Sequence, residues 1–243
     1  MQTTFLKARK PLVKEITKNG SKPYPLVKNF TSETHDISID KKGFNKLFRV
    51  ITTAAQQGAC MHKGPLKRAL KDEPRAFMSD RSTPTELLVL DIDGLRATPG
   101  DDIQAMADKI VLQLPDIFHD VSYIAQASAS LGIKKNQTSL QFFFLMDMPV
   151  HPKTLKDYLR MLNYECDFLA EQITLSANGQ SLSYILDPSV ADNSKLIYIA
   201  TPKFIDVKDP YPKGRFIKVD RGSPTLEISS SLIGVNPERV HTL

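Results

Sequence analysis

Two aspartates two residues apart follow an apolar run in the stretch LLVLDIDGL, residues 87–95. In an extended strand, side chains two positions apart point to the same face, so Asp91 and Asp93 project together. Two ionised carboxylates repel each other unless a cation shares their oxygens, and Mg²⁺ prefers a few carboxylates together with water or phosphate oxygens. The spacing therefore predicts a divalent-cation site. The plain structural alternative is a turn before Gly94, where aspartate is also common.

A third aspartate occupies a similar place further along the chain. Asp187 ends the apolar stretch SYILD, as Asp91 ends LLVL. Because the two stretches are far apart in sequence, only the fold can bring Asp187 to Asp91 and Asp93. Two or three carboxylates that hold a pair of metal ions are the arrangement used for phosphoryl and nucleotidyl transfer. These three residues are therefore our candidates for a catalytic metal site.

Hydrophobic periodicity predicts the elements that position these acids. A helix is expected from Phe44 to its closing residue, Gly58. From residue 87 onward the predicted order is strand, helix, strand, strand, helix, strand, strand. The strands are expected at 87–90, 122–128, 139–147, 183–187 and 195–200, and the helices at 99–115 and after Pro152. This order predicts an α+β fold with an RNA-recognition-motif-like β-α-β-β-α-β core and a smaller N-terminal α/β lobe.

Composition is typical of a globular protein. The chain has 243 residues, 41% of them hydrophobic, and no apolar run reaches the roughly 18 residues of a membrane helix. The N-terminus lacks the apolar core of a signal peptide, so we expect a cytoplasmic protein without a membrane partner. The only cysteines, Cys60 and Cys166, are too few for a disulfide framework.

The formal net charge of +5 is unevenly distributed. Residues 1–30 carry seven basic side chains and one acidic side chain, and residues 41–75 carry nine basic and two acidic ones. Clustered Lys and Arg bind polyanions such as nucleic acid by releasing counterions. An ordinary solvated surface explains the same pattern equally well, so both interpretations stay open at this point.

The motif at 91–94 also resembles the first motif of haloacid-dehalogenase-type phosphatases. There an aspartate nucleophile lies in DxDG followed by threonine or valine, whereas this chain has Leu95. That fold requires a doubly wound parallel sheet and a further acidic pair at the end of a later strand, and the predicted strand order does not supply them. A phosphatase is therefore the alternative hypothesis.

Residues 60–205 more closely resemble the archaeo-eukaryotic primase superfamily, in particular the primase–polymerase domains of phages and plasmids. DID at 91–93 is similar to the family's first, metal-binding motif. SLQFFFLMDMPV at 139–150 is similar to a strand that has serine, any residue, histidine, then apolar residues and a proline. YILDPSVADNSKLIYIATP at 184–202 is similar to an apolar-Asp motif followed by a loop and a strand. The three motifs occur in the family's order.

The resemblance implies roles for individual residues. Asp91, Asp93 and Asp187 would be the catalytic residues that bind Mg²⁺ or Mn²⁺, and Ser139 would lie near the nucleotide phosphates. Gln141 departs from the pattern, because the family has histidine there. A glutamine amide can donate a neutral hydrogen bond to a phosphate oxygen but carries no positive charge.

Basic residues must therefore neutralise part of a bound triphosphate. The preferred candidates for nucleotide contacts are Lys195, just after Asp187, together with Lys63 and Arg75, which precede the first motif. Each of them is equally well explained as an ordinary surface residue.

The function that the resemblance implies is a DNA primase or polymerase, which joins nucleoside triphosphates on a single-stranded DNA template by two-metal nucleotidyl transfer. A replicative helicase is the expected partner, in cis or in trans, since the sequence contains no GxxxxGK[ST] motif. The host cytoplasm is the expected location if the protein is phage-encoded. A catalytically inactive nucleic-acid-binding relative of the primases is a further alternative, because of Gln141.

The implied organisation is an N-terminal arm with weak packing at 1–40 and a catalytic domain at 41–243. Within that domain we expect an N-terminal lobe at 41–85, the RNA-recognition-motif-like lobe at 86–225 and a C-terminal tail at 226–243.

Overall fold

The computed structural model of the chain describes residues 1–100 and 102–232. Within them the protein is α+β, as predicted, with several antiparallel sheets and five helices. The strands are β1 Gln2–Lys7, β2 Glu15–Thr17, β3 Gly20–Ser21, β4 Asn29–Asp36, β5 Cys60–His62, β6 Glu73–Pro74, β7 Thr85–Leu95, β8 Tyr123–Ala127, β9 Thr138–Val150, β10 Thr174–Leu175, β11 Leu182–Ser183, β12 Leu196–Tyr198, β13 Lys203–Ile205 and β14 Phe216–Val219. The helices are α1 Lys41–Gln56, α2 Ile103–Val111, α3 Pro152–Glu165, α4 Asp167–Ala170 and α5 Ile228–Leu232.

A four-stranded antiparallel sheet of order β14-β8-β9-β7 contains the first two motifs. On the free side of β7, Leu186 forms an antiparallel bridge with Ile92. The chain thus runs from β7 through α2 to β8 and β9, then through α3 back to the edge of β7. This follows the predicted order, except that α4, β10 and β11 intervene after α3 and the predicted strand 183–187 is reduced to the isolated bridge at Leu186. The closer likeness to an RNA-recognition motif stays a prediction.

One face of this sheet is covered by α2. Tyr123 and the alternate residues Phe142 and Phe144 of β9 form an aromatic cluster, and the Tyr123 hydroxyl donates a hydrogen bond of 2.6 Å to Asp108 of α2. Since the three phenylalanines at 142–144 are completely buried, the apolar run of the second motif forms core, as its continuity indicates.

A five-stranded antiparallel sheet of order β12-β5-β1-β4-β6 forms the other half of the molecule. The first forty residues do contain the strand pair β1 and β4, but the weak packing expected for them is wrong. Phe5 and Leu6 of β1 are buried on opposite faces of the sheet, because β1 lies between β5 and β4 rather than at an edge. The polar stretch KNGSKPYP, residues 18–25, contains only the short strand β3 and connecting segments.

The predicted strand 195–200 is present as β12, but it belongs to the five-stranded sheet, where Leu196–Tyr198 pairs with Cys60–His62. A strand from the third motif therefore joins the two sheets. One apolar cluster contains residues of both sheets and of α1, among them Phe5, Leu47 and Val89.

The domain bounds given above stay predictions, and residues 233–243 of the predicted tail lie outside the described residues. None of the helices in the described part of the chain is long and apolar enough to cross a bilayer.

Candidate functional site

Strand β7 does not end at the aspartates, as the sequence suggested, but continues to Leu95. A register shift between Ile92 and Leu95 produces a β-bulge that contains Asp93 and Gly94. Gly94 has a φ of +77°, a left-handed conformation that glycine adopts without a steric penalty. Bulges redirect side chains and are common beside active sites. The bulge turns Asp93 outward, so that it is exposed while Asp91 stays half-buried.

The third aspartate lies directly beside this strand. The Asp187 backbone N–H donates a hydrogen bond of 2.9 Å to the Asp91 carbonyl, and the Asp93 N–H donates one of 3.0 Å to the Ile185 carbonyl. With the bridge between Ile92 and Leu186, this register places Asp187 opposite Asp91. Opposed residues of antiparallel strands share a face, with Cβ atoms roughly 5 Å apart. The backbone pairing thus makes Asp187 the cross-strand neighbour of Asp91, two residues from Asp93.

A row of polar residues crosses the sheet at this level. Gln141 of β9 lies opposite Asp91, and Gln126 of β8 lies opposite Gln141. On the same face of β7, the preceding alternate residues Leu87 and Val89 are buried and apolar. We name Asp187, Asp91, Gln141 and Gln126 the polar row, and it marks where this sheet face changes from core to site.

Two amide oxygens in the polar row have no protein donor. The Gln126 Nε2 group donates a hydrogen bond of 3.0 Å to the Ile199 carbonyl, just after β12. The Oε1 atoms of Gln126 and Gln141 are both buried and find no donor among the described residues. Buried polar atoms are normally hydrogen-bonded, so these two acceptors are available to a bound molecule or to water.

Burial raises the pKa of Asp91 to about 6. The neighbouring charges of Asp93 and Asp187 raise it further, whereas the Gln141 amide and the Lys195 ammonium act in the opposite direction. Desolvation and nearby like charge both disfavour the ionised carboxylate. Asp91 is therefore an acid that a bound cation would stabilise in its ionised form.

Asp187 is held by its own loop. Its Oδ1 atom accepts a hydrogen bond of 2.8 Å from the Ser189 N–H, and its Oδ2 atom accepts from the Ser189 hydroxyl at 2.8 Å and from Lys195 at 3.0 Å. Burial alone would raise the pKa of Asp187, but these bonds and the Lys195 charge lower it below its ordinary value. Lys195 thus lies at the acids, where the third motif implied a basic residue.

Ser139 contacts Asp93. Its hydroxyl donates a hydrogen bond of 2.7 Å to Asp93 Oδ1 and accepts one of 2.9 Å from the Gly94 N–H. Since Ser139 is also buried, its role in this structure is to orient Asp93 at the bulge. The resemblance implied that Ser139 contacts nucleotide phosphates. Ser139 would have to make that contact while it is bonded to Asp93 and Gly94.

The Lys63 backbone N–H donates a hydrogen bond of 3.0 Å to the Lys195 carbonyl, but the Lys63 side chain does not contact the acids. Its side chain is buried and donates a hydrogen bond of 2.9 Å to Thr85 Oγ1, and burial lowers its pKa to about 8. Thr85 begins β7, six residues or about 20 Å of extended strand before Asp91. The choice of Lys63 as a nucleotide contact is therefore not supported, because a basic residue in a loop was assumed to face solvent.

Arg75 lies closer to the site. Its Nη1 atom donates a hydrogen bond of 2.7 Å to the carbonyl of Ser194, the residue before Lys195. Arg75 is half-buried, and its hydrogen bond stabilises the segment that precedes β12, beside the acids.

Tyr24 and Tyr198, which the sequence analysis did not identify, form an aromatic wall near Asp91 and Asp93. The Tyr24 and Tyr198 rings are stacked, with centroids 3.8 Å apart and an interplanar angle of 11°. Burial, Tyr198 and the charges of Asp91 and Asp93 raise the pKa of Tyr24. No sequence signal links Tyr24 to the acids, whereas Ser189 follows the Asp-Pro-Ser order of a capped turn and was identifiable.

The donor chemistry of the acids fits a hard divalent cation, because carboxylate and amide oxygens are the ligands that Mg²⁺ accepts. Their present arrangement is not a finished site. Among residues 1–100 and 102–232, no group of three His, Cys, Asp or Glu side chains is placed to hold a metal ion. Ser139 engages Asp93, and Ser189 with Lys195 engages Asp187.

No family model, curated protein or solved structure matches the chain.

Proposed function

We propose that the chain is a template-directed nucleotidyltransferase, the catalytic domain of a DNA primase or primase–polymerase of the phage or plasmid type. It would join nucleoside triphosphates on single-stranded DNA. The order of the three motifs supports this proposal. The observation that carries it is the backbone pairing of Asp187 with Asp91 at 2.9 Å, because it makes neighbours of acids that are 96 positions apart in the sequence.

Asp91, Asp93 and Asp187 are the residues that would hold Mg²⁺ or Mn²⁺. Such ions, when bound, neutralise phosphate charge and favour attack by a hydroxyl group on a triphosphate. The high pKa of Asp91 and the amide oxygens in the polar row, which lack protein donors, support a polar ligand at this place.

The other residues of the site would position the aspartates and neutralise the charge of a bound triphosphate. Ser139 and Gly94 fix Asp93, and Ser189 fixes Asp187. Lys195, which now pairs with Asp187 at 3.0 Å, is the cation best placed to counter triphosphate charge once the carboxylates bind metal.

Gln141 keeps the inactive alternative open, since it lies opposite Asp91 where the family has histidine. The Gln141 amide favours the ionised form of Asp91, so in this chain it serves the acid rather than supplying a positive charge. A catalytically inactive relative would bind nucleic acid and incorporate nothing.

The phosphatase alternative loses support. That fold requires a doubly wound parallel sheet, whereas β7 pairs antiparallel with β9 and with Leu186.

The test is incorporation of labelled nucleotides on a single-stranded DNA template with Mg²⁺ or Mn²⁺. We expect incorporation by the wild type and background levels for Asp91→Ala and Asp187→Ala. Asp192→Ala is the matched control, because Asp192 lies on the same loop but pairs with Lys156. Wild-type protein that binds the template without incorporating nucleotides would contradict the enzyme and favour the inactive relative. A gain of activity in Gln141→His would support the motif alignment.

A further inference from the structure

Two adjoining cavities on the N-terminal part of the molecule have basic walls. One, of about 480 Å³, is lined by Lys10, Lys22 and Lys203 together with Glu15, Pro23 and Pro25. The other, of about 340 Å³, is lined by Arg9, Lys10 and Lys28 together with Asp72. Since Lys10 lines both cavities, they adjoin at this residue, and we name the two together the basic trough.

The trough keeps an excess of positive charge after its internal ion pairs are formed. Arg9 pairs with Asp72 at 2.5 Å, and Lys22 pairs with Glu15 at 2.8 Å. Lys10, Lys28 and Lys203 are exposed and form no ion pair with the described residues. Three unpaired ammonium groups along a concave surface are complementary to a ligand that carries several negative charges.

The trough adjoins the polar row through one short segment. Pro23 and Pro25 line the trough, and Tyr24 between them stacks on Tyr198 and lies within electrostatic reach of Asp91 and Asp93. The Lys14 ammonium lies 5.7 Å from the Tyr24 ring centre, on the same side of the molecule. The segment 23–25 therefore borders the trough and also lies near the carboxylates.

We infer that the basic trough binds the phosphodiester backbone of single-stranded DNA and guides that strand toward Asp91. This inference rests on the proposed function for the identity of the strand as template or primer, and it adds the location and the contacting residues. A single strand can follow a concave basic path, as strands do in the grooves of single-strand-binding proteins. A duplex is a convex rod, so it would contact only the rims of the trough.

The experiment is fluorescence anisotropy with a labelled oligothymidylate, titrated at several salt concentrations. The test variant carries Lys10→Ala, Lys28→Ala and Lys203→Ala. The control variant carries Lys41→Ala, Lys42→Ala and Lys109→Ala, three exposed lysines that do not line the trough. Circular dichroism shows whether both variants are folded.

Each lost phosphate contact on a single strand reduces the slope of log affinity against log salt concentration by about 0.7. We expect the test variant to lose about 2 from this slope and to bind about tenfold or more weakly near physiological salt. The control variant should match the wild type. An unchanged slope in the folded test variant, no binding by the wild type, or equal competition by a duplex of the same sequence would each overturn the inference.

The outcome is separable from that of the proposed function. If the wild type binds through the trough but incorporates no nucleotide, the trough stands and the polymerase proposal fails. If the wild type incorporates nucleotides and the test variant binds with an unchanged slope, the polymerase proposal stands and the trough fails.

Discussion

The ionised Asp91 carboxylate lowers the stability of the fold, whereas the proposed function requires a carboxylate at this position. It is a half-buried acid with Asp187 opposite it in the sheet and Asp93 two residues away. Like charges directly opposite each other destabilise a strand pair. Perturbed carboxylates of this kind are enriched at functional sites, which supports the site that we propose.

This conflict predicts that Asp91→Asn stabilises the fold. The pKa of Asp91 rises from 3.8 to about 6 on folding, so the folded protein holds a proton that the unfolded chain has released. Wild-type stability therefore falls as the pH rises from about 4 to about 6, by at most about 3 kcal/mol. Asparagine cannot ionise and avoids this loss.

Urea unfolding followed by circular dichroism checks this prediction. At pH 7 the Asp91→Asn variant should be more stable than the wild type, and the difference should almost vanish near pH 4. Asp192→Asn is the control, since Asp192 is half-buried and paired with Lys156, and it should show no gain. A variant less stable than the wild type at pH 7 would contradict our interpretation of Asp91.

Among the elements, the bulge in β7 decides where Asp93 points. Gly94 and Gly58 both have positive φ, at +77° and +70°. A Cβ atom at Gly94 would have only the Gln137 Oε1 atom within contact distance, at 3.9 Å, whereas at Gly58 it would lie 2.7 Å from the Pro11 Cβ atom. Alanine at position 94 therefore meets only backbone strain, and alanine at position 58 meets a steric clash as well.

We expect Gly94→Ala to lower the free energy of unfolding by about 1–2 kcal/mol and Gly58→Ala to lower it by more. Gly94→Ala should also reduce nucleotide incorporation, because Ser139 and Gly94 together orient Asp93. Urea unfolding of the two variants measures the first effect. No loss at Gly94 would show that the bulge tolerates a side chain, and a loss at Gly94 as large as that at Gly58 would contradict the steric difference between the two positions.

Several elements were predictable because their signal is local. The apolar stripes of α1 and α3 and the buried runs of β7 and β9 are visible in the sequence. The pairings between strands that are distant in the sequence were not predictable, because they leave no local signal. Nothing in LIY shows that β12 joins β5, and nothing in the polar N-terminus shows that β1 is a central strand.

The same distinction applies to the site. Asp91, Asp93 and Asp187 were predictable because acids after apolar strands are unusual and match a motif order. Lys63 was misplaced because its sequence neighbours resemble an exposed basic loop, and only the packing against Thr85 shows its burial.

At the scale of the molecule, the polar row lies where two sheets meet. The third motif runs past both sheets, pairing with β7 at Leu186 and with β5 at Leu196–Tyr198. Lys195 and Ile199, on either side of β12, contact Asp187 and Gln126 of the polar row. The five-stranded sheet therefore supplies the wall of the site, and the four-stranded sheet supplies two of its three acids.

The most direct test of the convergence of the three acids is Mn²⁺ binding, measured by electron paramagnetic resonance of the free ion. We expect the wild type to bind Mn²⁺, and Asp91→Asn and Asp187→Asn each to weaken binding by more than the roughly 10–100-fold typical of outer-shell changes. Asp192→Asn should bind as the wild type does. If Asp187→Asn also binds Mn²⁺ as tightly as the wild type, the three aspartates do not form one cation site.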